Sequence, residues 1–515
     1  MTQEGILDNN YDEIRSKQFL GHPIGLFILF FTEMWERFSF YGMKALLIYY
    51  LVKYHLFNVE HGNLLVGSYA AMVYALPVVG GYLADKYLGF RKAVIFGGIL
   101  LVLGHIGMAF EGTQAYMDGD VVVRDNFALQ AFYFSLSLII LGVGYLKANI
   151  SSIVGELYDK NDVRKDSAFT IFYMGINLGS FFATLLCGWL GETYGWSYGF
   201  GAAGIGMIFG LATFVLGQKY LLGKAEPPSE AILKKKHFGI STEWIIYLLS
   251  ILSLLVIQFI VQRHDLVEKL LVVALTVSLI FIIYTAVKAE SIIRDRLIAL
   301  TILTITSVIF WALFEQAYTS LNLFASITDC NVFGLTLKPT QFLSFNALFI
   351  FTLGPIFAAL WVKLGKYNPN TVVKFALALI FVGLGFGILV YGSRSTGEGM
   401  KVAAIWLVLT YLLHTIGELC LSPVGLSAVT KLSPGKIVGF MMGVWFLATA
   451  FSEYIAGVLA NIANIKTEQG EISDTGHAIV EYSQLFEKLF WVGIICGLVL
   501  LVISPFIKKL MHGIK

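Results

Sequence analysis

Charge is scarce in this sequence, and so is cysteine. Only 14% of the 515 residues are Asp, Glu, Lys or Arg, against about 25% in soluble domains. So low a share excludes an ordinary water-soluble globular chain. The formal net charge of +2 leaves no global basic field for nucleic acid. The four cysteines, Cys187, Cys330, Cys420 and Cys496, are scattered, three of them within apolar runs. No CxxC pair and no even spacing occurs, which argues against a disulfide framework and a cysteine metal site. HExxH and a cysteine–histidine cluster are missing as well, so the expectation is no enzyme, no metal and no cofactor. What the chain has in abundance is apolar: 57% hydrophobic and 15% aromatic. Its length serves many membrane spans, and the fold class expected is an all-α polytopic membrane protein in a lipid bilayer.

Apolar runs predict helices at 24–54, 63–86, 92–110, 128–151, 168–190, 198–221, 243–262, 267–288, 297–324, 340–363, 372–392, 401–430, 436–462 and 485–507. An even number of spans puts both termini on one side. The N-terminus is polar through Gln18, and the first run lacks a small-residue cleavage site, so it reads as an uncleaved span. With the N-terminus inside, 24 of the 36 Lys and Arg fall in inside segments, 9 outside and 3 within spans. That asymmetry predicts both termini in the cytoplasm. Pro227-Pro228 and Lys234-Lys235-Lys236 mark a linker after the sixth span. The organisation expected is a cytoplasmic N-terminus (1–23), a six-helix half (24–221), a linker (222–242), an inserted hairpin (243–288) and a second six-helix half with a short tail (289–515). That makes 12 core helices plus two, 14 in total. Outside connections at 111–127 and 463–482 read as surface loops.

Against this apolar background, the charges inside spans stand out. Glu33, Glu36, Arg37, Phe40 and Lys44 recur at i, i+3, i+4, i+7 and i+11, one face of a helix. Each ionisable group at membrane depth costs at least about 2.5–3.5 kcal/mol on insertion scales, so such a face implies a polar cavity or pairing. Lys147 and Asn177 lie within later spans of the first half, Glu315 and Glu418 within spans of the second. Cations on one half and acids on the other suit a cross-half latch. Glu33 and Glu36, one turn apart with Arg37 beside them, form a site able to take up and release a proton. Gly80-Gly81 through Gly89 marks a tight turn between spans two and three. There Asp85 and Arg91 are placed to clamp the turn against a neighbouring helix end. His105 and His414, alone among apolar residues, read as packed side chains, and Glu453 has no evident partner.

Taken together, these motifs resemble the proton-coupled oligopeptide transporters of the major facilitator superfamily. Glu33-Met34-Trp35-Glu36-Arg37-Phe38 looks like that family's ExxERF signature, and Gly80 to Gly89 is similar to its GGxxAD turn. Phe172-Tyr173-Met174-Gly175-Ile176-Asn177-Leu178-Gly179 looks like FYxxINxG, and Glu418 to Gly425 resembles its helix-ten motif. The insert at 243–288 resembles the extra helix pair of bacterial members. The resemblance implies a major facilitator fold in the cell (inner) membrane. It further implies proton-gradient-driven symport of di- and tripeptides by alternating access, with no obligate protein partner. By the same resemblance, Lys147 and Glu418 bind the peptide termini and Lys44 and Glu315 form a second cross-half pair. Glu33, Glu36 and Arg37 handle the proton, Tyr41, Tyr74, Asn177, Trp311, Asn346 and Trp445 line the pocket, and Gly81, Asp85, Gly89 and Arg91 serve the turn. Two departures bear on peptide preference. Lys44 stands where the family often has Arg, losing bidentate geometry, and Phe40 stands where it often has Tyr. A relative carrying nitrate or a glycoside-like compound is the nearest rival, and the retained ExxER cluster argues against it.

Overall fold

The computed structural model describes residues 17–159, 162–332, 334–397 and 400–514; the N-terminal tail before Lys17 lies outside them. Its long helices are α1 (Ile24–Tyr49), α2 (Val59–Ala75, continued by Pro77–Leu83), α3 (Gly89–Met108), α4 (Asn126–Glu156), α5 (Lys165–Tyr194), α6 (Trp196–Gly217) and α7 (Thr242–Val261). They continue with α8 (His264–Lys288), α9 (Ser291–Phe314), α10 (Ser344–Leu364), α11 (Thr371–Arg394), α12 (Ala404–Leu432), α13 (Val438–Ala460) and α14 (Thr475–Leu510). Among the described residues, 12 helical segments are long and apolar enough to cross a membrane. One of them, Val59–Met108, contains both α2 and α3, while α1 falls outside the set because of its charges. The total is therefore the expected 14.

Local chemistry sets several boundaries. Pro77 has no N–H to donate, so the α2 ladder breaks before it and restarts with Pro77 in the first turn. Asp125, Ser241, Asn370 and Asp474 cap α4, α7, α11 and α14 by accepting from backbone N–H groups of the first turn. The Asp474 cap starts α14 ten residues before the apolar run at 485, a stretch whose polarity hid it. The connections at 111–127 and 463–482 are also more ordered than their composition suggests. Tyr116–Asp118 pairs antiparallel with Val121–Val123, and Thr467–Glu468 with Glu471–Ile472.

Contacts divide the chain into two compact units. The first comprises 1–46, 75–113 and 125–262; the second comprises 47–74, 114–124 and 263–515. In the first unit, α1 is gripped by small residues on α5 and α6. A Cβ on Gly179 would lie 2.1 Å from the Met34 carbonyl oxygen, and one on Gly42 would lie 2.7 Å from Cys187 Sγ. Backbones that close gain dispersion contacts that lipid cannot match. The end of α2 meets α4 in the same way, with Gly80 facing Gly144. In the second unit, α11 and α14 cross at Gly383 and Gly493, where a Cβ on Gly493 would lie 2.7 Å from the Gly383 Cα. The segment 47–74 joins this unit through Gly67 against Gly457, Asn63 Nδ2 donating to Asn461 Oδ1 (2.9 Å), and Lys53 with Glu471 (2.8 Å).

The inserted pair is divided between the units. Helix α7 packs in the first, where Tyr145 Oη and Ser250 Oγ share a hydrogen bond of 2.6 Å and the Phe96 and Tyr247 rings lie 4.6 Å apart. Helix α8 packs in the second, through Tyr454 Oη donating to Glu268 Oε2 (3.2 Å) and Phe281 against Phe440 (4.5 Å). Leu248, Leu249 and Leu252 on α7 and Val273, Val277 and Ile280 on α8 are left exposed, as lipid contact requires.

The close approaches make a stability prediction. Gly80→Ala places a Cβ 2.1 Å from the Gly144 carbonyl oxygen, whereas Gly81→Ala meets only the Ala148 Cβ at 3.7 Å. The first variant should lose about 1–3 kcal/mol through forced separation of the helices. The second should be neutral or slightly stabilised. Thermal unfolding of both purified variants decides the matter, and equal midpoints would refute the packing argument.

Candidate functional site

The charged face expected on α1 forms, and it is buried. Relative exposure is 3% for Glu33, 1% for Glu36, 2% for Arg37 and 1% for Lys44. The i, i+4 spacing brings Glu33 Oε1 to 3.4 Å from Arg37 Nε. Glu36 is bound more fully: Arg37 Nη2 donates to Oε1 at 2.5 Å, and Nε donates to Oε2. This fork is the geometry that a guanidinium offers and an ammonium does not. The Phe40 ring lies between two cations, with Arg37 Cζ 5.0 Å and Lys44 Nζ 5.9 Å from its centroid. Arg37 also lies 5.8 Å from the Tyr41 ring. A desolvated aromatic face attracts cations by its quadrupole. Phe40 thus holds both cations without the hydroxyl that a tyrosine would add.

The two carboxylates are not equivalent. Both oxygens of Glu36 accept from Arg37, whereas Glu33 Oε2 is buried with no hydrogen-bond partner among the described residues. Glu33 feels the charges of Arg37, Glu36 and Lys147, so Lys147 on α4 belongs electrostatically to this cluster. Asn177, on α5, is buried and donates to the Tyr173 carbonyl at 3.1 Å.

The second unit assembles the other candidates. Glu418 on α12 is buried and accepts from Asn346 Nδ2 of α10 at 2.9 Å. The same nitrogen donates to Thr415 Oγ1 at 3.0 Å, and Thr415 in turn donates to the Tyr411 carbonyl at 2.7 Å. Thr415 was not among the expected site residues. Its place three residues before Glu418, on the same helix face, was the available signal. Glu315 follows directly after α9, is buried, and acts electrostatically on Glu418. The Trp311 ring packs against Phe310 and Phe314 at 5.2 and 5.3 Å. Trp445 on α13 lies over Gly425, whose Cβ would strike the indole at 2.7 Å. The glycine ending the helix-ten motif is therefore required by that tryptophan. Tyr74, half-buried, lies near the end of the first part of α2.

The turn between α2 and α3 is clamped, with a partner that sequence reading did not supply. Arg91 binds Glu226 by Nε–Oε1 at 2.6 Å and Nη2–Oε2 at 2.8 Å, and donates from Nη1 to Gln218 Oε1 at 3.0 Å. Both partners come from the segment after α6. Asp85 is exposed on the turn and makes no ion pair among the described residues. Gly89 has φ +73°, and a Cβ there would lie 2.5 Å from the Pro227 nitrogen. Gly81 lacks such a constraint, and the close approach belongs to Gly80. His414 is packed as expected, its Nε2 3.1 Å from the Val382 carbonyl.

Comparison with known proteins places this arrangement. Residues 91–477 match the POT family (PTR2). The chain belongs to the POT family. It is 39% identical over 510 residues to the uncharacterized transporter YclF of Bacillus subtilis (strain 168), covering 97% of each chain. It is 36% identical over 523 residues to a di-/tripeptide transporter of Lactococcus lactis subsp. cremoris, covering 97% of this chain and 98% of that one. A crystal structure of a mutant peptide transporter POT in complex with alafosfalin superposes with a TM-score of 0.82 at 35% identity. That match covers 98% of this chain and 99% of the other. As a POT family member the chain is a transporter and not an enzyme. Its fold is that of the major facilitator superfamily, twelve core helices with α7 and α8 added between the halves.

The Asn346 amide carries a testable load. Asn346→Leu strips Glu418 of its donor and leaves a buried carboxylate short of a partner, which should cost about 1–3 kcal/mol. Thr415→Val removes only the outer bonds and should cost about 1 kcal/mol. Thermal unfolding of the purified variants gives the ranking, and an Asn346→Leu protein as stable as the parent would contradict it.

Proposed function

We propose that this chain is a proton-coupled symporter that imports di- and tripeptides by alternating access across the cell (inner) membrane, with both termini in the cytoplasm. One observation carries the reading: two buried carboxylates share Arg37, and one of them keeps an oxygen with no hydrogen-bond partner among the described residues. An ionised carboxylate at membrane depth demands compensation. Glu36 receives it from the Arg37 fork, so Glu33 is the group free to hold the proton. Arg37 and Lys147 respond to that proton as charge at Glu33 changes. Supporting this, relatives of similar length are named as peptide transporters, and one solved neighbour contains alafosfalin.

A peptide zwitterion needs a cation for its carboxylate and an acid for its ammonium. Lys147 and Glu418 supply them in this reading, and Lys44 with Glu315 forms the gate pair. Asn177 and Asn346 hold the peptide amide, while Tyr41, Tyr74, Trp311 and Trp445 accept varied side chains by packing. Protons drive the cycle, so no cofactor, nucleic acid or obligate protein partner is invoked. The lysine and arginine distribution supports the orientation.

Proteoliposomes with an imposed pH gradient test the assignment. Glu33→Gln should abolish gradient-driven dialanine uptake while dialanine exchange partly survives; normal uptake by this variant would defeat the proton role. Lys147→Ala should lower uptake at least about tenfold, the loss expected from one charge-assisted hydrogen bond. Unchanged uptake would remove Lys147 from the binding site. Competition by a panel of peptides, single amino acids and nitrate tests the substrate class, and preference for nitrate would replace the peptide reading.

A further inference from the structure

The connection between α6 and α7 is a built arm. Its first part is fastened to the α2–α3 turn: Arg91 N donates to the Ala225 carbonyl at 2.9 Å, the Arg91 side chain holds Glu226, and Ala225 is buried. Ser229 then caps a short helix, Glu230–Lys234, on which Leu233 is buried. Lys236–His237 pairs with Ile240–Ser241 in an antiparallel ribbon turned by Phe238 (φ +52°) and Gly239 (φ +86°). The Thr242 N–H donates to the Lys235 carbonyl at 2.9 Å, tying the ribbon to the first residue of α7. Lys92 with Glu243 (2.8 Å) fixes that end to α3.

What this frame displays does not suit a solvated loop. Phe238 at the tip is 107% exposed, held out by a left-handed backbone that bulky residues rarely adopt. Ile232, Ile240 and Trp244 are exposed as well. Both carboxylates between Lys224 and Lys236 are neutralised, Glu226 by Arg91 and Glu230 by Lys234. Lys224, Lys235 and Lys236 are exposed and make no ion pair among the described residues. Apolar and aromatic groups beside uncompensated cations, at the mouth of a membrane helix, match a bilayer interface rich in phosphate.

We propose that this arm is a docking surface for anionic phospholipid, with Lys235 and Lys236 on headgroup phosphates and Phe238 inserted at the acyl boundary. Docking fixes the arm, and through Arg91 and Glu226 the α2–α3 turn, to the membrane surface. The inference is independent of what the protein transports.

The test uses the full chain in an uncharged detergent, with thermal unfolding followed while lipid is added. Phosphatidylglycerol should raise the midpoint and phosphatidylcholine should not. In K235Q/K236Q the phosphatidylglycerol concentration giving half the rise should increase about thirtyfold, close to 1 kcal/mol for each lysine. F238S should weaken the effect with the charges intact, which separates insertion from simple ion exchange. An unchanged half-effect concentration in K235Q/K236Q would overturn the proposal. So would an equal rise with inorganic phosphate at the same concentration, since the site would then be one for a free anion. Native mass spectrometry, which reads bound phosphatidylglycerol directly, decides the question for any variant with a broad unfolding transition.

Discussion

A guanidinium cannot shed its proton inside a protein, and Arg37 is 2% exposed at membrane depth. Everything around it follows from that constraint. Glu36 closes a fork on it, Glu33 reaches it from one turn earlier, and the Phe40 face covers it. Two acids against one fixed cation leave an unequal pair: one carboxylate committed and one with an oxygen to spare. A chain that wanted only a stable helix could have replaced the trio with leucine, often at no cost in stability. Stability alone therefore does not account for the trio, which is why the proposed function assigns it the proton.

That burial is possible because the helices come so close. Glycine on α5 meets the α1 backbone at Met34, and the α12 glycine at 425 makes room for Trp445. In lipid, where apolar surface gains nothing by association alone, such contact is the main source of cohesion. The same seams leave the charged groups of α1 almost fully buried. Packing and electrostatics are thus one design in this protein, since a looser seam would wet and screen the cluster.

Most of the architecture was legible in the sequence. Spans announce themselves by length and hydropathy, and α1 announced its charges by a helical period. Most of what escaped had no periodic signal. Glu226 lies 135 residues from Arg91, inside a proline-marked linker that reads as slack chain. Gly81 and Gly80 are neighbours in one motif, and only the geometry of α4 separates the critical glycine from the tolerant one. Thr415 was within reach of a spacing argument, but a threonine in an apolar helix is ordinary, and its value depends on where Asn346 points. The division of α7 and α8 between two units could not be read at all, because periodicity reports that a helix is amphipathic or apolar and never against what it packs.

The segment 47–74 has a consequence for how the protein is made. Every residue of the first unit has been joined to the chain once Gln262 is added, so that unit has all its parts early. The C-terminal end of α1 and the first part of α2 belong elsewhere, and their partners are synthesised late. Asn63 waits 398 residues for Asn461, and Gly67 waits for Gly457. Until α13 is inserted, a polar amide destined for near-complete burial faces lipid or borrowed partners. Long-range closures of this kind are slow and leave intermediates exposed. The newly made chain is most vulnerable to quality control in that interval, with one unit able to assemble and the other still missing the helix that completes it.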